Sequence, residues 1–170
     1  MIDRIDGRVR RLGDDINTDY IISSARKKDS LDEHVLKQFL LESLDPSFAA
    51  SVRQGDLLVA GKNFGCGSAM EVAATVILAA GIPVVVAKTF ARSFYRNAIN
   101  NGLVPVECDT DHFGEGDPIS ITFGEAGVAI TNERTAWTQT HPALGGIAGA
   151  ILEAGGLVPY LRREGRFVLR

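Results

Sequence analysis

The chain has 170 residues, 45% of them hydrophobic and 23% charged, and its 18 basic and 21 acidic residues give a net charge of −3. These values fit a globular protein of one domain and lack the basic excess that favours binding to nucleic acid. No apolar run reaches the length of a membrane span, and residues 1–15 contain no apolar signal core. We therefore expect a cytoplasmic protein with no membrane or nucleic-acid partner.

The two cysteines, Cys66 and Cys108, are too few for a disulfide framework. They are also too few for a zinc or iron–sulfur site held by this chain alone. The sequence therefore predicts no metal ligands in the chain.

The N-terminal part predicts a strand, a turn and a helix. Residues 2–12 alternate loosely, as in a strand, and residues 13–19 are rich in turn-forming side chains. A helix capped by Asp29 or Ser30 is predicted to run to residue 40, because its apolar side chains recur at helical spacing. It should end before Asp45-Pro46.

The middle of the chain alternates between short apolar runs and helical patterns. Strands are predicted at residues 57–60, 83–87 and 103–106. A helix beginning near Ser68 joins the first two, and a helix over 91–100 joins the last two. This order favours parallel strands with helices packed on the sheet.

The C-terminal part predicts an antiparallel hairpin and a last helix. Residues 118–123 and 128–130 alternate on either side of two glycines, and residues 144–153 have a helical pattern. The expected fold class is α/β, with a mixed parallel core sheet and an antiparallel hairpin, in a single domain over residues 1–170.

The segment GKNFGCGSAME at 61–71 carries the functional signal. It has three glycines between a predicted buried strand and a helix, a place that suits a carboxylate or phosphate. It matches neither the dinucleotide pattern nor the nucleoside-triphosphate loop. Ser68 is either a simple helix cap or a catalytic hydroxyl, which would need strong stabilisation of negative charge.

Four segments together resemble a known family. GKNFGCGS at 61–68, DINTDYII at 15–22, ARSFYRNAINNGL at 91–103 and ILEAGGL at 151–157 resemble, in order and spacing, the small subunits of 3-isopropylmalate dehydratase and the matching aconitase domain. The resemblance covers nearly the whole chain.

The resemblance implies a swivelling β/β/α domain that works with a larger subunit. That subunit would carry a [4Fe-4S] cluster on three cysteines, so no cofactor is expected on this chain. The reaction would remove water from a hydroxy dicarboxylate and add it back. Ser68 would take the proton from carbon while the iron acts as a Lewis acid on the leaving oxygen. Asp19 would be a second catalytic residue, and Thr18, Gly67 and Ala69 would contact substrate.

The chain departs from the family pattern directly after the serine. The family continues Gly-Ser-Ser-Arg-Glu-His-Ala, whereas this chain has Ala69, Met70 and Val72 at the second serine, the arginine and the histidine. Methionine cannot form the charge-assisted carboxylate pair of that arginine. Met70 could line an apolar substrate pocket, a cation elsewhere could replace the arginine, or the chain could be non-catalytic.

Residues 23–30 lie where the family has its substrate-specificity loop. We expect this segment to be a mobile loop that closes over substrate, with Arg26 or a lysine such as Lys28 reaching the distal carboxylate. In this hypothesis Arg26→Ala should damage turnover strongly, whereas Lys27, if it faces water, should be dispensable. A solvated basic turn is the alternative.

The best functional hypothesis is the small subunit of a heteromeric hydro-lyase, 3-isopropylmalate dehydratase of leucine biosynthesis. The expected partners are the large subunit, in a heterodimer or heterotetramer, and a small hydroxy dicarboxylate. One alternative is the same chemistry on a methylmalate, maleate-type or alkylmalate acid. Another is a non-catalytic anion-binding or assembly module.

Overall fold

A computed structural model describes residues 4–28, 30–124 and 127–168. The strands are β1 (Arg4–Arg11), β2 (Leu57–Ala60), β3 (Val84–Ala87), β4 (Val104–Glu107), β5 (Pro118–Gly124), β6 (Gly127–Asn132) and β7 (Trp137–His141). The helices are α1 (Thr18–Ile21), α2 (Glu33–Leu36), α3 (Phe48–Ser51), α4 (Val72–Ala79), α5 (Arg92–Asn101), α6 (Gly146–Glu153) and α7 (Leu157–Glu164). Three short 3₁₀ turns, Arg26–Lys28, Lys37–Phe39 and Thr110–His112, connect some of them.

The strands form one mixed sheet in the order β4-β3-β2-β1-β5-β6-β7. The pairs from β1 to β4 are parallel, and β5, β6 and β7 extend the other side of β1 with antiparallel pairing. The sheet curls, so that the side-chain oxygen of Gln139 in β7 accepts a hydrogen bond from the Asp109 N–H just beyond β4, at 3.0 Å. The predicted fold class is thus confirmed.

The central strands β2 and β3 are buried on both faces, and their side chains alternate between two cores. Leu58 and Val85 face a core that includes side chains of α4 and α5. Leu57 and Val84 face the opposite core, which contains Ile121 of the antiparallel half. A strand covered on both sides reads as a continuous apolar run, which is why these short strands were predictable.

The N-terminal helix was predicted incorrectly. The helix α2 is a single turn capped by Asp32, whose carboxylate accepts from the His34 N–H at 2.8 Å. Ser30 instead accepts from the Asp32 N–H, and Asp29 lies outside the described residues. Leu31, expected on the buried face, is 82% exposed.

One strand and three helices of the described residues were not anticipated from the sequence. The strand β7 makes the predicted hairpin a three-stranded meander, and α1 begins within the predicted turn at residues 13–19. The helix α3 begins at Phe48, shortly after Asp45-Pro46, and α7 follows the glycines at 155 and 156. Tyr160 of α7 is buried beside Ile99 of α5 and Ile151 of α6, so tertiary packing stabilises α7.

Candidate active site

Three loops meet where β1, β2 and β3 end: residues 12–28, 61–71 and 88–91, together called the loop rim below. Backbone hydrogen bonds join them. The Gly65 N–H donates to the Ile16 carbonyl at 2.8 Å, and the Thr18 N–H donates to the Cys66 carbonyl at 2.8 Å. The Ala91 N–H donates to the Phe64 carbonyl at 2.9 Å. Ligands of α/β proteins commonly bind at this end of parallel strands.

Two glycines let the central loop pass between its neighbours. Gly65 has φ +79°, and a Cβ there would overlap the ring of Phe94. Gly67 has φ +92°, and a Cβ there would lie 2.5 Å from the Asn17 side-chain oxygen. Both the backbone conformation and the close approach therefore require glycine.

Ser68 is exposed at the tip of this loop. Its carbonyl accepts from the Thr18 hydroxyl at 2.9 Å and from the Met70 N–H at 2.9 Å. Its own hydroxyl has no hydrogen-bond partner within the described part of the chain. The loop is thus held by main-chain contacts while the side chain stays available.

The helix expected to begin near Ser68 begins later. The helix α4 starts at Val72, and its N-cap, Glu71, makes no side-chain capping bond. Ser68 is therefore not the N-cap of α4, so helix capping does not account for this serine. The stabilising effect of a helix dipole is confined to the first turn, and Ser68 precedes that turn, so the dipole of α4 does not stabilise an anion at Ser68.

Asp19 lies in the first turn of α1, beside the tip of the glycine loop. Asn17 caps this helix by accepting from the Asp19 N–H at 2.9 Å. The Asp19 carboxylate accepts from the hydroxyl and the backbone N–H of Ser24. The bond from the Ser24 hydroxyl, aided by the charge of Lys27, holds the pKa of Asp19 below its usual value against the opposing effect of burial. Asp19 is therefore ionised at neutral pH.

Arg26 is occupied by contacts within the chain. Its guanidinium donates two hydrogen bonds to Glu42, at 2.8 and 2.9 Å, and stacks on the ring of Phe39 with 3.9 Å to the ring centroid. Substrate binding by Arg26 stays a prediction, and in this conformation it would require the pair with Glu42 to open. Lys28 is exposed at the end of the same 3₁₀ turn.

Lys27 contacts the glycine loop instead. Its ammonium lies 2.9 Å from the sulfur of Met70, and the Ser24 hydroxyl lies 3.9 Å from the same sulfur. Met70 is 7% exposed, so its side chain forms the floor beneath this part of the rim. Gly67 and Ala69 are exposed beside Ser68, and Thr18 is buried, where it supports the loop.

Sequence reasoning missed Lys27, Ser24 and Asn17. Asn-Thr-Asp at 17–19 is a recognisable N-cap pattern, so Asn17 could have been assigned. No local pattern identifies Lys27, because its contact is 43 residues away along the chain.

The described residues contain no group of three or more His, Cys, Asp or Glu side chains placed to hold a metal ion. Across the same residues, no helix is long and apolar enough to cross a membrane.

The family model for the aconitase C-terminal domain matches residues 18–111, which include most of the loop rim and the strands β2, β3 and β4. A curated relative named 3-isopropylmalate dehydratase small subunit, from Heliobacterium modesticaldum, is 46% identical over 92% of this chain and 93% of its own length. The methanogen homoaconitase small subunit of Methanocaldococcus jannaschii is 42% identical over 94% of this chain and 92% of its own.

A solved structure agrees with these relatives. The crystal structure of 3-isopropylmalate dehydratase from Methanocaldococcus jannaschii has a TM-score of 0.87 and 39% identity, and the match covers 95% of each chain. The fold, the glycine loop and these similarities define the class as a hydro-lyase domain of the aconitase type. The chain belongs to the aconitase C-terminal domain family, in the branch of the 3-isopropylmalate dehydratase small subunits.

Proposed function

We propose that this chain is the small subunit of a heteromeric hydro-lyase that dehydrates and rehydrates a hydroxy dicarboxylate, with 3-isopropylmalate as the first substrate to test. The supporting observation is the convergence of Ser68 and Asp19 on one rim, although 49 residues separate them in sequence. The Thr18 hydroxyl bonds the Ser68 carbonyl at 2.9 Å, so the segment that carries Asp19 also holds the loop that carries Ser68.

The roles follow from the chemistry of the two groups. In this proposal Ser68 is the base that accepts the proton from carbon, and its exposure lets substrate reach the hydroxyl. Serine is a weak base, so the complete site must stabilise its deprotonated form. Asp19 stays ionised and positions substrate or solvent beside the loop. Thr18, Gly67 and Ala69 shape the floor on which substrate rests.

The other half of the site is assigned to a large subunit. The resemblance to the family supports a [4Fe-4S] cluster there, which when bound would supply Lewis-acid assistance to the departing hydroxyl. This chain would then form one wall of a shared site, as a single swivelling domain in a heterodimer or heterotetramer in the cytoplasm. The 23–30 segment would be its specificity loop, with Arg26 and Lys28 as candidate contacts.

A second candidate is the same reaction on a different acid. Met70 at the family's arginine, together with a lysine on its sulfur, favours a substrate whose carboxylates are bound differently. Methylmalate, maleate-type and alkylmalate acids are the candidates. The relatives also differ in name, one being called a homoaconitase subunit and another an isopropylmalate dehydratase subunit.

The test is reconstitution with the cognate large subunit. The mixture should dehydrate one acid of a panel, followed by the ultraviolet absorbance of the unsaturated product, and neither subunit should do so alone. Dehydratase activity of this chain by itself would contradict the two-subunit proposal. A preference for another acid over 3-isopropylmalate would select the second candidate. No activity on any acid would favour a non-catalytic module.

A further inference from the structure

The ammonium group of Lys27 has an unusual neighbour. It lies 2.9 Å from the sulfur of Met70. A thioether is a weak acceptor, whereas an ammonium group carries three donors and a full charge. No salt bridge of Lys27 is present among the described residues. Lys27 is also half-buried, so part of its hydration has been replaced by this weak contact.

The neighbouring charges do not satisfy Lys27. Asp19 is close enough for its charge to be felt, but it forms no salt bridge with Lys27, and its Oδ1 accepts both the hydroxyl and the N–H of Ser24. Glu42 is engaged by the fork of Arg26. The rim thus holds a cation that forms no salt bridge among the described residues and contacts a weak acceptor.

Lys27 lies next to the turn of the glycine loop that carries Ser68. The Met70 N–H donates to the Ser68 carbonyl at 2.9 Å, so the side chain beneath Lys27 belongs to the turn that carries the candidate base. Ser24 contacts both Asp19 and the sulfur of Met70. Lys27, Asp19 and the serine loop therefore form one contiguous patch.

We propose that Lys27 is the cationic anchor for one carboxylate of the substrate, with Met70 as the apolar floor that positions its ammonium group. This inference rests on the proposed hydro-lyase function and identifies how that site recognises an acid. An arriving carboxylate would replace a weak thioether contact with a charge-assisted hydrogen bond. A lysine acts as a point charge, so it tolerates more carboxylate orientations than a planar arginine fork would.

Arg26 and Lys28 are the other cations on this segment, and the contacts of Arg26 favour Lys27 over it. Using Arg26 would break two hydrogen bonds to Glu42 and the stacking on Phe39. Using Lys27 displaces only a sulfur contact. Two cations of the segment from Ser23 to Lys28 therefore have different roles. Arg26 holds the segment against the rest of the protein, and the ammonium group of Lys27 is available to a substrate carboxylate.

The experiment uses the reconstituted two-subunit enzyme and compares Lys27→Met with Lys27→Arg. Lys37→Met is the matched control, because Lys37 is an exposed lysine on the neighbouring 3₁₀ turn. Lys27→Met should lower kcat/KM for the diacid by about 30-fold or more, mostly through KM. Lys27→Arg should stay within about tenfold of the wild type, and Lys37→Met should be unchanged. Thermal unfolding of each variant checks that it is folded.

A charge-selective readout separates anchoring from a structural role. The two regioisomeric monomethyl esters of the diacid each lack one carboxylate. The ester that lacks the carboxylate bound by Lys27 should react equally well with the wild type and with Lys27→Met. Adding Met70→Arg to Lys27→Met should restore part of the lost diacid activity, because it returns a cation to the same floor.

The outcomes separate a failure of the Lys27 inference from a failure of the proposed function. Wild-type activity on the diacid with Lys27→Met unimpaired would overturn the inference and leave the proposed function intact. An equal loss on the diacid and on both esters would also overturn it, since that pattern reports a misplaced loop. If the wild type itself shows no hydro-lyase activity on any acid of the panel, the proposed function fails first and takes this inference with it.

Discussion

Polar side chains of the loop rim and of the antiparallel half of the sheet differ in how fully their hydrogen bonds are satisfied within the protein. In the antiparallel half, Asp117 accepts hydrogen bonds from Arg134 at 2.7 and 3.1 Å, from Asn132 at 2.8 Å and from the Gly114 N–H at 2.8 Å. These four residues are called the Asp117 cluster below. On the rim, the Ser68 hydroxyl has no partner among the described residues and the Lys27 ammonium meets a thioether.

The difference separates polar groups that stabilise the fold from those available to a ligand. A buried carboxylate with every lone pair satisfied contributes stability and cannot bind anything else. Backbone contacts hold the loop that carries the Ser68 hydroxyl, and the Lys27 ammonium contacts only a weak thioether acceptor, so both groups keep hydrogen-bonding capacity for a ligand. Substitutions in the two regions should therefore affect different measurements.

The largest effect is expected for Ser68→Ala. Removing a general base costs about 10² to 10⁴-fold in rate, and kcat of the reconstituted enzyme should fall by this amount. The unfolding temperature should barely change, because the loop is held by the Ser68 carbonyl and not by its side chain. Ser43→Ala serves as control, because Ser43 is an exposed serine whose hydroxyl has no hydrogen-bond partner among the described residues. Full activity of Ser68→Ala would refute the catalytic assignment.

Asp19→Asn should have the next largest effect. It removes a charge that the site keeps ionised, and kcat/KM should fall by about 100-fold. The control is Asp32→Asn, because asparagine caps a helix as well as aspartate does. Since the pKa of Asp19 lies below its usual value, wild-type kcat/KM should show no loss from this group between pH 7 and about 5. A loss within that range that Asp19→Asn abolishes would contradict an ionised Asp19.

Asp117→Asn should affect stability rather than turnover. It disrupts the pair with Arg134 beside the fully buried Asn132, and we expect a loss of about 1–3 kcal/mol in the free energy of unfolding. Denaturant unfolding at neutral pH measures this loss. Glu107→Gln, at an exposed carboxylate, is the control. A large fall in kcat with unchanged stability would break the proposed contrast between the two regions.

The Asp117 cluster also predicts an acid dependence of stability. The Arg134 guanidinium and the Gly114 N–H hold the pKa of Asp117 far below its ordinary value, so folding favours its ionised form. Its contribution is complete above the unfolded pKa of about 4 and is lost as the pH falls towards the folded value. Below about pH 4, wild-type stability should therefore drop more steeply than that of Asp117→Asn. Parallel curves for the two proteins would refute this.

The smallest effect is expected for the pair of Arg26 and Glu42. The two side chains are 37% and 25% exposed, so breaking their ion pair should cost about 0.2–1 kcal/mol. If Arg26 only ties its segment to the protein, Arg26→Ala and Glu42→Gln should alter kinetics equally and slightly. A strong loss of kcat/KM in Arg26→Ala alone would instead assign Arg26 to substrate, as the sequence predicted.

Much of the fold followed from local patterns. The strands β2 and β3 are continuous apolar runs, and β4 is apolar up to the exposed Glu107. The helix α5 ends at Gly102, which adopts φ +81° as expected of a helix-stopping glycine. Three glycines between a strand and a helix marked the glycine loop as a place where a ligand could approach the backbone, and the resemblance to the family made Ser68 the catalytic candidate. These features depend on residues that lie close together in the chain.

What the sequence left undecided depends on distant partners. Only the folded chain shows that α4 begins at Val72, that Arg26 pairs with Glu42 and that Lys27 lies on Met70. No pattern within a few residues distinguishes one cation of Arg26, Lys27 and Lys28 from the next, because each can reach water equally well. Tertiary packing distinguishes these cations. In the folded chain Arg26 contacts Phe39 and Glu42, and Lys27 contacts the buried sulfur of Met70.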